Sequence, residues 1–393
     1  MHLGNFSRYF AALVLACQLA QVAAQAATKL QLVPLPDAQG TIVGTAFSPD
    51  SSQIAILRHF NGPSTSGARH TIQVVDLKSG HEVSQGELPN GSSSDTIMST
   101  HFLVYSFDGR RLLLGASGTD DLLILDTVNL QVSNRVALHP EKQLRRSLSE
   151  GNRYFQGIVS VAVALNADVF GALTHDEQGI NEIFVGSLSS GQISNSWGLG
   201  HGPTFGALGR TSLSFSDDGA RLAVSLLPNE YKLSKDFLNV RVYSSEGREL
   251  MGIRTDGLTG YVELLPNGSL LTSRIDTPGL FSKKLCIEKW NLSTKAIVGR
   301  FCDPGRHIIS LGVSNSHRLA AGSACQIRKD LEGNVLAFPG RVDVWNTESG
   351  TLAASSDDFP SLGPGDIQIS SNGIWLFAGQ MLFQIESPVE PPQ

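Results

Sequence analysis

Cysteine, charged residues and long apolar runs are all scarce in this 393-residue chain. The four cysteines include no CxxC pair, which excludes the usual cysteine-based metal and redox motifs. Only 17% of the residues are charged while 41% are hydrophobic, so apolar side chains suffice for a packed core. The formal net charge of −6 and the pI of 5.9 leave no basic excess, which argues against a general nucleic-acid binder.

No apolar run reaches the roughly 20 residues of a membrane-spanning helix. Residues 9–20 form an apolar stretch that follows Arg8 and precedes Ala24-Gln25-Ala26, whose small-x-small pattern is typical of a cleavage site. We therefore predict a signal peptide at residues 1–26 and a secreted or periplasmic protein without a membrane span. Lipoprotein processing at Cys17 is the alternative.

Catalytic and metal-binding motifs are also absent from the sequence. Ten histidines occur, but none belongs to an HExxH or HxH motif or to a compact Cys/His set. No GxSxG sequence marks a serine hydrolase. The glycine-rich segment 198–202 lacks the following helix and the βαβ unit that a nucleotide-binding loop requires. The sequence therefore predicts no metal, no cofactor and no catalytic residue.

The chain contains a repeat made of an apolar strand, a tight turn rich in Asp, Asn and Gly, and a second apolar strand. Asp-Gly and Asn-Gly accept the positive φ angles that tight hairpin turns need. Seven copies can be recognised, and their first strands and turns lie at residues 45–50, 103–109, 161–166, 212–219, 261–268, 311–315 and 366–373.

A second hairpin follows the repeat and adds a third and a fourth strand, as at residues 341–345 with the turn Glu348-Ser-Gly350. Four antiparallel strands per repeat form one blade of a β-propeller. The seventh copy lacks a fourth strand because a disordered, Pro-rich tail begins at residue 387, and residues 28–35 have the alternation of the missing strand. We predict an all-β fold: a seven-bladed β-propeller over residues 27–386, closed by an N-terminal strand in the last blade.

Four short segments carry a family resemblance: Phe47-Ser-Pro-Asp50, Phe215-Ser-Asp-Asp-Gly219, Lys289-Trp-Asn291 and Val344-Trp-Asn346. They resemble the WD40/YVTN-like propeller superfamily, with Trp-Asn where the family pattern has Trp-Asp. The chain looks most like exported bacterial propellers with divergent YVTN or TolB-type repeats, over nearly its whole length after residue 26. The resemblance implies a propeller fold and says little about function.

Loop length distinguishes the two faces of the predicted ring. The turns between first and second strands and between third and fourth strands are short, and we call their side the plain face. The other connections lie on the opposite, long-looped face. They include residues 60–69, 139–157, 198–210, 228–236, 276–284 and 326–340.

Six ionisable residues fall at strand ends on the long-looped face and could point at the channel mouth. These candidates for binding a small polar or anionic ligand are Arg58, His175, Arg210, Arg274, His307 and Asp366. Binding sites on rigid scaffolds commonly lie in such variable loops. The alternative is that these residues are ordinary solvated loop ends.

The cysteines give a sharper prediction. A hairpin turn at Asn291-Leu-Ser-Thr-Lys295 in the fifth blade places Cys286 and Cys302 opposite each other. Directly opposed residues of an antiparallel pair have Cα atoms about 4.5–5.5 Å apart, within reach of a disulfide. We therefore predict a Cys286–Cys302 disulfide with Cys325 free. Three reduced, buried thiols are the alternative.

Three classes of function fit these features. The first is an exported, non-catalytic propeller that acts as a binding or protein-interaction scaffold through its long-looped face. The second is a lactonase-like or quinoprotein-like enzyme with its site at the channel mouth, for which Arg210, His307 and Asp366 are the candidates. The third is an envelope assembly partner resembling TolB-type propellers. We predict the first class, a monomer whose partner is a protein or a small polar or anionic ligand and not a nucleic acid.

Overall fold

The structure is a computed structural model. It describes residues 28–35, 40–60, 69–88, 101–116, 119, 121–139, 157–176, 180–201, 212–226, 238–255, 258–275, 286–303, 306–308, 310–329, 335–359 and 367–386. These residues form strands and turns and no helix, so none of them forms a helix that could cross a membrane. The predicted signal peptide and the Pro-rich tail lie outside the described residues, and both stay predictions.

The described residues contain 29 strands. The first thirteen are β1 (Thr28–Val33), β2 (Thr41–Phe47), β3 (Gln53–Phe60), β4 (Arg69–Asp76), β5 (Glu82–Glu87), β6 (His101–Tyr105), β7 (Arg111–Ala116), β8 (Asp121–Asp126), β9 (Val132–Ala137), β10 (Gly157–Val163), β11 (Phe170–His175), β12 (Ile180–Gly186) and β13 (Ile193–His201). The others are β14 (Leu213–Phe215), β15 (Arg221–Ser225), β16 (Val240–Ser244), β17 (Glu249–Ile253), β18 (Leu258–Leu264), β19 (Ser269–Ile275), β20 (Ile287–Asn291), β21 (Ala296–Phe301), β22 (His307–Ile308), β23 (Gly312–Val313), β24 (Leu319–Lys329), β25 (Val335–Asn346), β26 (Leu352–Ser355), β27 (Ile367–Ile369), β28 (Trp375–Ala378) and β29 (Met381–Ile385).

Consecutive strands form four-stranded antiparallel sheets. Five of these sheets are separate: β2–β5, β6–β9, β10–β13, β14–β17 and β18–β21, which we call units one to five. The remaining strands form one nine-stranded sheet in the order β22-β24-β25-β26-β1-β29-β28-β27, with β23 also paired to β24. Only two parallel residue pairs join β26 to β1, Thr28–Ala354 and Lys29–Ser355. We therefore divide this sheet into unit six, β22–β26, and unit seven, β27–β29 with β1.

Strand β1 completes unit seven. It pairs antiparallel with β29, from Leu30–Ile385 to Val33–Leu382. A strand from the N-terminal end of the described chain thus occupies the position of the missing fourth strand, which confirms the predicted closure. Leu30 is buried in an apolar cluster that includes Phe383, whereas Leu32 is 49% exposed.

Apolar clusters lie between neighbouring units. Leu57 of unit one packs in one cluster with Leu112 of unit two, and similar clusters join each later unit to the next. A further cluster contains Ile54 of unit one and Phe377 of unit seven, so it joins the last unit to the first. Burial of this apolar surface is the main stabilising contribution. The units form a β-propeller, and the count of seven blades is our interpretation of this grouping.

A hydrogen-bonded turn recurs between first and second strands on the plain face. Ser48, Ser106 and Ser216 each donate from Oγ to the aspartate two residues later, at 2.6 Å in all three turns. The Oγ of Ser216 also accepts the N–H of Arg221, at 2.9 Å. The bond from Ser216 is the main cause that lowers the pKa of Asp218. These serine and aspartate side chains fix the turns, so this part of the plain face is well ordered.

The disulfide joins Cys286 and Cys302, as predicted. The two residues flank the paired residues Ile287 and Phe301 of β20 and β21, and their Cα atoms are 4.7 Å apart. Cys286 is buried. The backbone of Cys325 lies in β24 opposite His307; that Cys325 is free stays a prediction, because its side chain lies outside the described structure.

Two of the predicted long connections are partly strands. Pairing between β24 and β25 continues from Gln326–Phe338 to Lys329–Val335, so most of residues 326–340 is a hairpin and not a loop. β-Branched and aromatic residues such as Val335 and Phe338 favour this extended pairing. Likewise β13 continues to His201 within the segment predicted as a connection at 198–210.

Candidate functional site

The innermost strands surround a cavity of about 940 Å³ along the axis of the ring. Its lining includes residues of β2, β6, β10, β14, β18, β23 and β27, one strand from each unit. The lining is mixed: Tyr261 and Val262 lie beside serines such as Ser212 and Ser214. Several of these serines are already engaged, since the Oγ of Ser212 accepts the N–H of Val262 at 2.6 Å. The cavity has the size of a small-molecule site.

The described lining contains two residues of the types aspartate, glutamate, lysine, arginine and histidine. Both are acids, Asp217 and Glu263. Burial raises the pKa of Glu263 to about 8, a hydrogen bond from Ser214 opposes this rise, and the charge of Asp217 adds to it. Glu263 is therefore largely protonated near neutral pH. The described lining offers no cationic side chain to an anionic ligand, so it gives the anionic-ligand prediction no support.

We expect Glu263 to make stability pH-dependent. Because its folded-state pKa is about 8 and its ordinary value is 4.5, the folded protein keeps a proton that the unfolded chain loses between these values. Stability contributed by this group is thus present below pH 4.5 and lost as pH rises to 8. We expect a loss of about 2 kcal/mol, less than the full linkage effect, because the Glu263 side chain is half-buried and keeps part of its hydration.

Glu263→Gln should remove this slope. Urea unfolding at both ends of the pH window would compare the variant with the unaltered protein and with Glu348→Gln, which alters an exposed carboxyl on a turn. The expected result is that only Glu263→Gln flattens the profile and raises stability at the alkaline end. Identical profiles for all three proteins would contradict the raised pKa.

A hydrogen bond between two side chains connects two units that are not neighbours. Nε2 of His317, in the β23–β24 turn of unit six, lies 2.8 Å from Oδ1 of Asp217, in the β14–β15 turn of unit four. The His317 side chain is 8% exposed, and its backbone carbonyl accepts a hydrogen bond from the Oγ1 of Thr347. This contact bypasses unit five and joins the plain-face turns of units four and six.

Other plain-face turns are bonded to their neighbours. The backbone N–H of Asn166 donates to the carbonyl of Asp217 at 2.8 Å. The N–H of Asn372 donates to the Oγ of Ser51 at 2.9 Å, which joins unit seven to unit one. Because these turns are held both within and between units, their positions on the plain face are fixed relative to one another.

Two of the six predicted binding residues have described side chains. Arg58, in β3, is buried, and desolvation lowers the pKa of its guanidinium. His175 ends β11, is also buried, and has Nδ1 2.9 Å from Oδ1 of Asn181. Neither of them lines the cavity as described. Both side chains are thus packed within units one and three.

The other four predicted binding residues are described in part or lie outside the described structure. Arg274 pairs with Thr259 in β18–β19, and His307 pairs with Cys325 in β22–β24, through their backbones only. Arg210 and Asp366 lie outside the described residues. The predicted channel-mouth set therefore stays a prediction.

Sequence reasoning missed Glu263, Asp217 and His317. Glu263 stands in a strand of apolar residues, and a charged residue at such a position is the one signal that could have drawn attention to it. Asp217 is explained by its turn, and His317 is 100 residues away from it, so nothing local indicates their contact.

The β24–β25 hairpin extends beyond its own sheet on the long-looped face. Strand β22 pairs with β24 only as far as Cys325, and β26 pairs with β25 only as far as Asp343. One isolated bridge, Gly340–Phe359, lies beyond this point. The outer pairs of the hairpin, from Gln326–Phe338 to Lys329–Val335, therefore have no described strand on either side.

A charged cluster anchors the base of this hairpin. Arg341 of β25 contacts Asp303, which follows β21, and its Nε lies 3.0 Å from Oδ1 of Asp343. Asp343 is fully buried and accepts a hydrogen bond from the Oγ of Ser355 at 2.6 Å. Burial raises the pKa of Asp343, and the charge of Arg341 opposes the rise. These bonds connect the hairpin base to unit five and to β26.

Comparison with known proteins supports the fold alone. No family model and no curated protein matches the chain. Many solved structures match, 1107 chains in all. One of them is the crystal structure of the C-terminal WD40 domain of Sif2. The similarity covers 92% of this chain and 99% of that domain, with 14% sequence identity and a TM-score of 0.53. The chain thus has a WD40-like β-propeller fold.

The described residues show no metal centre. No group of three or more histidine, cysteine, aspartate or glutamate side chains in that part of the chain is placed to hold a metal ion. Three features could therefore carry function: plain-face turns that are hydrogen-bonded between units, an acidic cavity, and a hairpin that extends from the opposite face.

Proposed function

We propose that this protein is an exported, non-catalytic scaffold that binds another protein through its long-looped face. The observation that carries the proposal is the β24–β25 hairpin, whose outer pairs extend past the flanking strands and leave backbone hydrogen-bonding groups without a described strand beside them. Such edges readily pair with another chain. A WD40-like ring supplies the rigid support that such a binding element needs.

Export is supported by two features of the chain. The Cys286–Cys302 disulfide is typical of proteins that reach an oxidising compartment. Residues 1–26 have the charge and hydropathy pattern of a signal peptide. Both features agree with a binding protein that acts outside the cytoplasm.

Site-directed photocrosslinking tests which face binds proteins. A photoreactive phenylalanine analogue would replace Val335, at the outer end of the hairpin, or Val128, which is 83% exposed in the β8–β9 turn of the plain face. Because both changes replace valine, they are matched. In an extract from the source organism we expect discrete protein adducts from position 335, suppressed by excess unlabelled protein, and none from position 128. Adducts from position 128 alone, or none from either position, would overturn the proposal.

A further inference from the structure

The extended hairpin has two outer edges that differ in chemistry. The outer edge of β25, Val335–Phe338, is followed directly by Pro339, which has no N–H to donate and lies where the register shifts between Ala324 and Gln326 of the partner strand. The edge of β24 from Gln326 to Lys329 contains no proline, so every residue keeps its N–H. Since alternate residues of an edge strand direct N–H and C=O groups outward, β24 is the better edge for adding a strand.

The β24 edge is basic over its four residues. Arg328 and Lys329 are two of its four residues, whereas the residues opposite them in β25, Leu336 and Val335, are uncharged. The whole chain has a formal net charge of −6. A basic edge on an acidic protein therefore favours an acidic partner segment.

The same charges disfavour a second copy of this chain. Two β24 edges that paired antiparallel would bring Arg328 and Lys329 of one copy close to the same residues of the other. Like charges on adjacent strands destabilise the pairing, and lysine on an edge strand is a known protection against self-association. The occupant that fits is a different chain with acidic side chains.

We propose that the outer edge of β24, Gln326–Lys329, binds an extended acidic segment of a partner protein, which adds to unit six as a further strand. This inference rests on the proposed function, because it names how the long-looped face recognises its partner. Backbone hydrogen bonds would supply much of the affinity, and the acidic side chains would set the preference.

Short fluorescent peptides test the charge preference. One peptide alternates valine and glutamate, and the second alternates valine and lysine. By fluorescence anisotropy we expect the full protein to bind the glutamate peptide about threefold more tightly, because adjacent strand residues face opposite sides and the glutamates on one face meet one of the two basic residues. The difference should shrink at high salt because salt screens the attraction between charges.

A charge-reversed variant locates the site. Arg328→Glu together with Lys329→Glu should reverse the preference toward the lysine peptide. The matched control is Arg110→Glu together with Arg248→Glu, which changes two exposed arginines in plain-face turns and should keep the preference for glutamate. An unchanged thermal midpoint shows that each variant is folded. Equal binding of both peptides, or an equal effect of both double variants, would overturn the proposal.

The photocrosslinking experiment separates this inference from the proposed function. One outcome is that the charge-reversed variant keeps its adducts from position 335 and binds both peptides with the same affinities as the unaltered protein. In that case the face binds proteins but does not recognise them by an acidic strand. If position 335 gives no adducts in any variant, the proposed function itself fails. Loss of adducts in the charge-reversed variant alone supports both.

Discussion

Replacing Leu30 with aspartate should lower the free energy of unfolding by about 4 kcal/mol or more. Leu30 is 4% exposed and lies in the apolar cluster between units six and seven, with Phe383 and Val342. A carboxylate at this position loses its hydration and meets an apolar cluster, while the burial of the leucine is also lost. The cost should exceed that of Leu30→Ala, for which we expect about 3 kcal/mol.

The size of this effect follows from the position of β1 in the ring. β1 pairs with β29 on one side and, through Thr28 and Lys29, with β26 on the other. Displacing it uncovers the edge of unit seven and one side of the apolar cluster at once. Exposed strand edges promote association between chains, so we also expect Leu30→Asp to aggregate at concentrations at which the unaltered protein stays monodisperse.

Leu32→Asp is the matched control, because it makes the same substitution on the same strand at a side chain that is 49% exposed. We expect it to change stability by less than about 0.5 kcal/mol. Urea unfolding followed by tryptophan fluorescence measures both variants, and Trp375 in β28 reports directly on unit seven. If the two variants unfold at the same urea concentration, β1 does not stabilise the ring as inferred.

The fold was predictable because its information is local. Each repeat carries its own turn residues and alternating strands, so the copies can be recognised without knowledge of tertiary contacts. The closing strand could also be inferred, because residues 28–35 alternate and the seventh repeat lacks a fourth strand. The Cys286–Cys302 pair is local as well: the two cysteines are 16 positions apart in one hairpin, and their register depends on its turn and on one shift between Lys289 and Trp290.

The candidate site was less predictable because it depends on contacts between distant units. Asp217 and His317 meet only when units four and six take their places in the ring. Burial raises the pKa of Glu263 in unit five, and the charge of Asp217 in unit four adds to the rise, a combination that no single repeat contains. Residues 326–340 are predicted as a long connection between second and third strands, yet pairing of β24 with β25 extends the hairpin into them.

Loss of the disulfide should have the second largest effect. Cys286→Ala together with Cys302→Ala should lower the free energy of unfolding by about 3 kcal/mol, because the bond restricts a loop of this size in the unfolded chain. Alanine leaves no hydroxyl group at the buried Cys286 position. The native fold should persist, because the hairpin keeps its turn and the pairing of β20 with β21.

Urea unfolding with and without dithiothreitol measures this effect, and the double alanine variant serves as an internal control. The unaltered protein should lose about 3 kcal/mol on reduction, while the double alanine variant should be insensitive to the reductant. Cys325→Ser is the matched control, because it changes a cysteine outside the bridge and should keep the full response to reduction. If the unaltered protein has the same stability under both conditions, the bond between β20 and β21 does not contribute as inferred. If Cys325→Ser loses the response, Cys325 takes part in the bridging instead, and the pairing in unit five is wrong.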